Sequence, residues 1–250
     1  MEIEKAMEIE PIQAETGIPS PELPPYLVPH SQDVIRVLYE DDLLLIVDKP
    51  HLLLSVPGRH PLNKDSLIGR LASRFPGVAA VHRLDLDTSG LLVVPKTREA
   101  LSILGRHFQQ RQVKKVYYAL VWGNVEHNEG QIDLPLIADW ENRPRQKVCV
   151  KTGKPSLTQY EVIDRRGETT LLKLIPVTGR SHQLRLHLRE IGHPILGCDM
   201  YAHDTALQAS PRLLLHASAL QLCHPTTGTS LSAFSPIPFD VAGWRGQRPG

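Results

Sequence analysis

Cysteine is scarce in this 250-residue chain: Cys149, Cys198 and Cys223 are an odd number and form no CxxC pair. That argues against a disulfide framework and against a structural zinc site built on paired cysteines. No apolar run reaches the roughly 18 residues of a membrane span. The opening stretch, "MEIEKAMEIE", is acidic and lacks the basic-then-apolar order of a signal peptide. The expected location is therefore the cytoplasm, with no membrane partner. The glycine-rich cradles GxGxxG and GxxxxGK(S/T) are absent, so no nucleotide cofactor is expected. Ser89 sits in "TSG" without the GxSxG elbow of a hydrolase nucleophile. Histidine is plentiful, at 12 residues, and His182, His187 and His193 invite a metal reading. On a helix, however, positions five apart point roughly 140° from each other, unlike the same-face pair of HExxH, and no metal is expected.

The net charge of +1 conceals an asymmetry. Residues 1–30 hold six glutamates, one lysine and six of the 21 prolines, a charge of −5. Residues 31–250 then carry 27 basic and 21 acidic side chains, or +6. The expected organisation is a flexible, acidic, Pro-rich leader over 1–30, a folded domain over 31–240 and a tail over 241–250. A mildly basic body suits a polyanionic partner, although many proteins with no nucleic-acid role share that balance.

From residue 33 the pattern is that of a folded chain. "DVIRVLYEDDLLLIVDKP" predicts two strands around a turn at Asp41 and Asp42, ended by Pro50. "KDSLIGRLASRF" has helical spacing behind a cap at Asp65 or Ser66, and "KTREALSILGRHFQQRQ" repeats this with Thr97 as cap. "VKKVYYALVWG" alternates as a strand, and short strands follow around "GQIDLPL", "QKVCV", "LTQYEVI" and "TTLLKLIPV". "TGRSHQLRLHLREIGHP" reads as a loop and a helix, capped by Ser181 and stopped by Gly192 and Pro194; "RLLLHASALQL" and "SLSAF" close as strands. Many strands with few, scattered helices predict an α+β fold on a mostly antiparallel, mixed sheet with flanking helices. No internal repeat and no sharp linker interrupts the chain after residue 33.

The densest constellation is "VHRLDLDTSGLLVV", residues 81–94. Read as an extended strand, it places Arg83, Asp85 and Asp87 on one face and Leu84 and Leu86 on the other. A charged cluster against an apolar run is either an active site or an ion-pair network at a strand end, and spacing alone does not separate the two. Basic residues also cluster in "GRHFQQRQVKK" (106, 111, 114, 115) and "NRPRQKVCVKTGK" (143, 145, 147, 151, 154). Either cluster alone reads as a solvated face. Together with Arg180, Arg185 and Arg189 along one helix they resemble a phosphate-binding surface. Tyr117 reads equally as a core aromatic or as a ring for stacking a base.

"HRLDLDTSG" resembles HRLDxxTSG, the catalytic signature of the RluA family of pseudouridine synthases. "KVYYALVWG" (115–123) is similar to that family's KxYxAxVxG, and "TGRSHQLRLHL" (178–188) to its TGRxHQLRxH. Outside the motifs, "LLLSVPGR" (52–59), "DLPLIADWENRPRQKV" (133–148) and "GHPILG" (192–197) resemble the members that act on both ribosomal and transfer RNA. The resemblance covers about 33–240, and the stretch before it is too short and polar to be the S4 RNA-binding domain that several members carry.

The resemblance implies a pseudouridine synthase catalytic fold without an S4 domain. It makes Asp85 the catalytic carboxylate, with Asp87 at a variable position of the signature. Tyr117 becomes the tyrosine against the flipped base and Arg180 the arginine that pairs with the catalytic aspartate. Arg83 becomes the residue that enters the RNA when the target nucleotide leaves it. His82, Thr88, His182 and Gln183 are implied as substrate contacts. The expected partner is structured RNA, in hairpin loops of 23S ribosomal RNA and of the transfer RNA anticodon arm, met by a monomer with no obligatory protein partner. The alternatives are a non-catalytic RNA-binding module on the same fold, or the same reaction at another ribosomal site.

Overall fold

The computed structural model describes residues 7–9, 28–29 and 31–240. The rest of the expected leader and the whole of the expected tail, 241–250, lie outside the described residues. Within the leader, β1 (Met7–Ile9) pairs antiparallel with β2 (Ile35–Glu40), Glu8 opposite Arg36. The chain divides into two compact units: Met1–Val113 with Leu220–Ser235, and Lys114–Ala219 with Pro236–Gly250. No composition shift marks the division at Val113 and Lys114, which is why the sequence shows no linker there.

In the first unit β2 pairs antiparallel with β3 (Leu44–Lys49), and β3 with β4 (Ser89–Pro95). All residues of β3 and β4 are buried, as expected of continuous apolar runs covered on both faces. The β2–β3 turn is organised by Asp41, whose Oδ1 accepts from the Leu43 and Leu44 amides, and whose Oδ2 accepts from the Tyr39 hydroxyl. Burial pushes the Asp41 carboxyl up, but these bonds and one to His224 outweigh it and hold it below the usual carboxylate range. Helices α1 (Leu67–Ala72) and α2 (Arg98–Gln109) start where the sequence predicts, with Ser66 Oγ accepting from Gly69 N–H and Thr97 Oγ1 from Ala100 N–H. Arg70 of α1, fully buried, grips both Asp65 carboxylate oxygens and donates to the Ser31 and Asp33 carbonyls. This ties the backbone of residues 31 and 33 to the helix.

In the second unit β5 (Lys114–Trp122) pairs antiparallel with β10 (Thr169–Pro176), β10 with β9 (Leu157–Arg166), and β9 with β6 (Glu129–Asp133). A separate hairpin joins β7 (Leu136–Ala138) and β8 (Gln146–Val148). Helix α3 (Gln183–Glu190) follows β10 and packs into a core of Ala119, Val121, Leu172, Leu174, Leu186 and Leu188. Its C-terminus is a Schellman motif: Gly192 takes φ 85°, its amide bonds Arg189 C=O, and the His193 amide bonds Leu188 C=O. The short helix α4 (Asp204–Gln208), absent from the sequence reading, starts at His203. Strand β11 (Leu215–Cys223) is divided by chain position, 215–219 belonging to the second unit and 220–223 to the first; β12 (Ser230–Phe234) pairs with it. The architecture is α+β with mostly antiparallel strands and few helices, as the sequence predicts.

Candidate active site

The segment 81–88 is not the strand its alternation suggests. Strand structure starts only at Ser89, and the Thr88 amide donates to Asp85 C=O at 3.2 Å, closing a turn over Asp85–Thr88. The turn ends the two-residue alternation, so Asp87 does not follow Arg83 and Asp85 along one face. Arg83 is exposed, Leu84 is buried, and Asp85, Leu86 and Asp87 are half-buried.

Four residues of the first unit, Ser55, Lys49, Val93 and Phe108, hold this segment. Ser55 Oγ donates to Leu84 C=O at 2.7 Å and accepts from Leu84 N–H at 3.0 Å. Lys49, with no exposure, donates from Nζ to the carbonyls of Pro50, Leu53 and Leu86 at 2.8, 2.7 and 3.2 Å. His82 Nε2 accepts from Val93 N–H at 3.0 Å, and its ring stacks on Phe108 with centroids 4.5 Å apart. Asp85 is thus bracketed by two residues whose backbones are fixed, Leu84 by Ser55 and Leu86 by Lys49. A buried ammonium is tolerated because three carbonyl oxygens replace its water. The loop carrying Ser55 is itself fixed, since its residues 54 and 55 accept from the Leu67 and Ile68 amides of α1.

In the second unit Tyr117 lies half-buried on β5, opposite Leu174 of β10 and against the core. Lys115, two residues earlier, is held below the ordinary lysine range by burial. Its Nζ lies beside Gly179, where a Cβ would stand 3.6 Å away. Arg180 is exposed and donates from Nε to Pro155 C=O at 3.3 Å. Its backbone is set by Gln183, whose Oε1 accepts from Arg180 N–H at 3.0 Å and from the Thr178 hydroxyl at 2.7 Å. Gln183 Nε2 donates to Leu157 C=O and to Thr158 Oγ1, each at 3.0 Å. The Thr158 hydroxyl lies 2.9 Å from His187 Nδ1, and His187 Nε2 lies 3.0 Å from Leu134 C=O. The carbonyl requires the proton on Nε2, so Nδ1 accepts from Thr158. Burial pushes the His187 pKa down, outweighing the Leu134 bond and the charges of Asp133 and Glu190 that raise it. The chain from Arg180 N–H to Leu134 C=O is a buried polar network in which each amide and ring atom of Gln183 and His187 has a partner.

Several expectations are corrected. Ser181 does not cap α3: His182 is the N-cap residue, at φ 54° in the left-handed region, and makes no side-chain cap bond. Its Nδ1 instead meets the Tyr201 hydroxyl at 2.8 Å. Gln183 and Thr88, implied as RNA contacts, are only 3% and 2% exposed, each within its own unit. His82 likewise has its Nε2 and ring engaged within the protein. Arg185 does not join a phosphate-binding face; it is buried, with Nε to Cys198 Sγ and Nη2 to Asp199, and Arg189 pairs with Glu190. The helix turns its core side through position 185, and a buried guanidinium needs a carboxylate partner. His182, His187 and His193 turn to separate partners, Tyr201, Thr158 with Leu134, and Trp122 C=O. Among the described residues no three His, Cys, Asp or Glu side chains converge as a metal-ligand set.

Lys49 and Ser55, which hold the segment of Asp85, and Thr158 and Tyr201, which hold the start of α3, have no assigned role in the sequence reading. Ser55 lies in "LLLSVPGR", a stretch whose likeness to the family was visible without a role. Lys49 is indistinguishable from a surface lysine until its distant carbonyl partners are placed.

Residues 43–190 match the family described as RNA pseudouridylate synthase. The dual-specificity RNA pseudouridine synthase RluA of Yersinia pestis is 53% identical over 196 residues, covering 78% of this chain and 95% of that protein. The protein of the same name from Escherichia coli K12 is 48% identical over 212 residues, covering 84% and 97%. The solved structure of human RNA pseudouridylate synthase domain containing 1 superposes with a TM-score of 0.68 at 29% identity, covering 87% of each chain. The chain belongs to the RNA pseudouridylate synthase family: it is an isomerase that converts uridine to pseudouridine in RNA.

Proposed function

We propose that Asp85 is the carboxylate that carries the reaction, and that the substrates are stem-loops of both 23S ribosomal RNA and the transfer RNA anticodon arm. The observation that carries the first part is the clamp on 84–86. Two hydrogen bonds between Ser55 and the Leu84 backbone and one from Lys49 to Leu86 C=O restrain the backbone on either side of a half-buried aspartate, as a reacting group requires. The second part is supported by the dual-specificity relatives and by the stretches 52–59, 133–148 and 192–197 that resemble enzymes acting on both RNA classes.

In the isomerisation the bond from uracil N1 to ribose C1′ breaks, a bond from C5 to C1′ forms, the C5 proton leaves and N1 regains one. Atoms and electrons balance within the nucleotide, so no cofactor is invoked. The base must first leave its stack, which costs a few kcal/mol. Arg83, exposed beside the clamped segment, is proposed to enter the vacated space and offset part of that cost. Asp85 then acts as a nucleophile, as in retaining glycosidases, or as a base at the sugar. Tyr117 and Arg180 keep the roles their motifs imply. The enzyme is proposed to act as a monomer in the cytoplasm; among the described residues no helix is long and apolar enough to cross a membrane.

Tritium release from RNA labelled at uracil C5 tests this reading. Asp85→Asn is expected to bind RNA and release no tritium; release near the wild-type rate removes Asp85 from the chemistry. Tyr117→Phe is expected to retain partial binding and lose much of the rate, and Arg83→Ala to bind more weakly and turn over more slowly. Labelled 23S fragments and anticodon stem-loops offered in parallel decide whether one or both RNA classes are substrates.

A further inference from the structure

The β7–β8 hairpin carries an aromatic residue that the isomerisation does not use. Trp140 at its tip is 69% exposed, and the Arg143 guanidinium lies 3.4 Å above its ring. With one face beneath a cation, that exposure leaves the other face to solvent. Held outward beneath a cation, the indole presents a flat, polarised face of the kind that stacks on another π-system.

The tip is built to hold this arrangement. Asp139 accepts from Asn142 Nδ2 and from Lys147 Nζ, and its amide donates to Arg145 C=O. The Asn142 and Lys147 bonds hold its carboxyl below the ordinary range. The base of the hairpin reaches the residues before α3 through two intermediaries. Gln146 N–H donates to the Tyr201 hydroxyl, the same hydroxyl that meets His182 Nδ1. Leu136 exchanges both backbone bonds with Lys154, next to Pro155, whose carbonyl accepts from Arg180 Nε. The tryptophan therefore stands on an arm anchored beside Arg180 and His182.

Charge selects the occupant. From residue 139 to 154 the arm and its following loop hold Arg143, Arg145, Lys147, Lys151 and Lys154 against Asp139 and Glu141. Arg143, Arg145, Lys151 and Lys154 are exposed, whereas Lys147 pairs with Asp139. An apolar protein surface gains nothing from these cations. A strand of RNA presents a flat base for the indole and phosphates for the cations of the same arm and loop. We infer that Trp140, backed by Arg143, is a stacking platform for one unpaired nucleobase of the RNA substrate, separate from the uridine that reacts. The inference rests on the reading of this chain as an enzyme acting on RNA stem-loops.

The test measures binding of a stem-loop RNA to the full chain carrying Asp85→Asn, so that no turnover intervenes, with and without Trp140→Ala or Trp140→Phe. Thermal melts show that each variant folds, as expected of an exposed side chain. Trp140→Ala is expected to weaken binding by about tenfold, within the range of one base–aromatic stack, and Trp140→Phe to recover most of it. Replacing loop nucleotides one at a time by abasic residues is expected to reveal one position, other than the target, whose loss weakens the tryptophan form and leaves Trp140→Ala unchanged. Equal affinity of the tryptophan and alanine forms overturns the inference, as does a loss that no abasic position removes. Tritium release by the otherwise unaltered enzyme is followed separately. A protein that binds through Trp140 but releases no tritium refutes the isomerase reading and leaves the platform standing.

Discussion

Lys49 is a cation without solvent, and Ser55 a hydroxyl 3% exposed; both act on carbonyls of the segment that carries Asp85. Removing the Ser55 hydroxyl strands Leu84 N–H and C=O where water does not reach. Ser55→Ala is expected to destabilise the chain by about 1–3 kcal/mol, read by urea unfolding. It is also expected to lower kcat more than it raises KM, since the RNA surface is unchanged and only the restraint on position 85 is lost; the reverse pattern would make Ser55 an RNA contact. His187 yields a pH dependence. Its pKa is lowered from 6.5 by burial, so between the lowered value and 6.5 the unfolded chain binds more protons than the folded one. Its contribution to stability is complete above pH 6.5 and declines as pH falls through that window. His187→Gln removes this titration, and its urea midpoint is expected to fall less steeply than that of the wild type on going from neutral to acidic pH.

At the scale of elements, α3 is joined to its surroundings by side chains rather than by a cap. His182 supplies no cap bond, and the helix start is held by Gln183 through Arg180, Thr178, Leu157 and Thr158. Gln183→Leu leaves all four partners without that amide and is expected to destabilise by about 3 kcal/mol in urea unfolding. Because Gln183 Oε1 also fixes the backbone of Arg180, turnover is expected to fall further than the folded fraction explains. Gln183→Glu, which retains the acceptor oxygens but loses the donors to Leu157 and Thr158, is expected to recover only part of either loss. A variant with full turnover and only lowered stability would confine Gln183 to packing.

For the molecule as a whole, charge and chemistry bear on binding and on metals separately. The +6 balance of residues 31–250 is modest, so the salt dependence of RNA binding is expected to come from local clusters rather than net charge. Lys151→Gln with Lys154→Gln is expected to reduce the slope of log K against log salt by about 1.4, at roughly 0.7 per single-strand phosphate contact. An unchanged slope places those lysines away from the RNA. Tritium release from a short stem-loop in monovalent salt is expected to be undiminished by excess chelator. The reason lies in the ring nitrogens: those of His82, His182 and His187 that the polar networks use are directed at protein partners.

The sequence by itself determined the family, the α+β class and most element starts. Motif identity, two-residue and 3.6-residue periodicity and capping residues are all properties of neighbours along the chain, as Ser66, Thr97 and the Gly192 stop illustrate. The tertiary structure alone decided which polar residues face inward. Alternation made 81–87 look like a strand until the Asp85–Thr88 turn was in place, and Arg185 looked like its exposed neighbour Arg189 until Asp199 was beside it. Burial of a charge or an amide depends on partners that remove it from water, and these are remote in the chain: Lys49 lies 37 residues from Leu86, and Gln183 lies 25 from Thr158. Such partners leave no periodic trace, because folding alone brings them within hydrogen-bond reach.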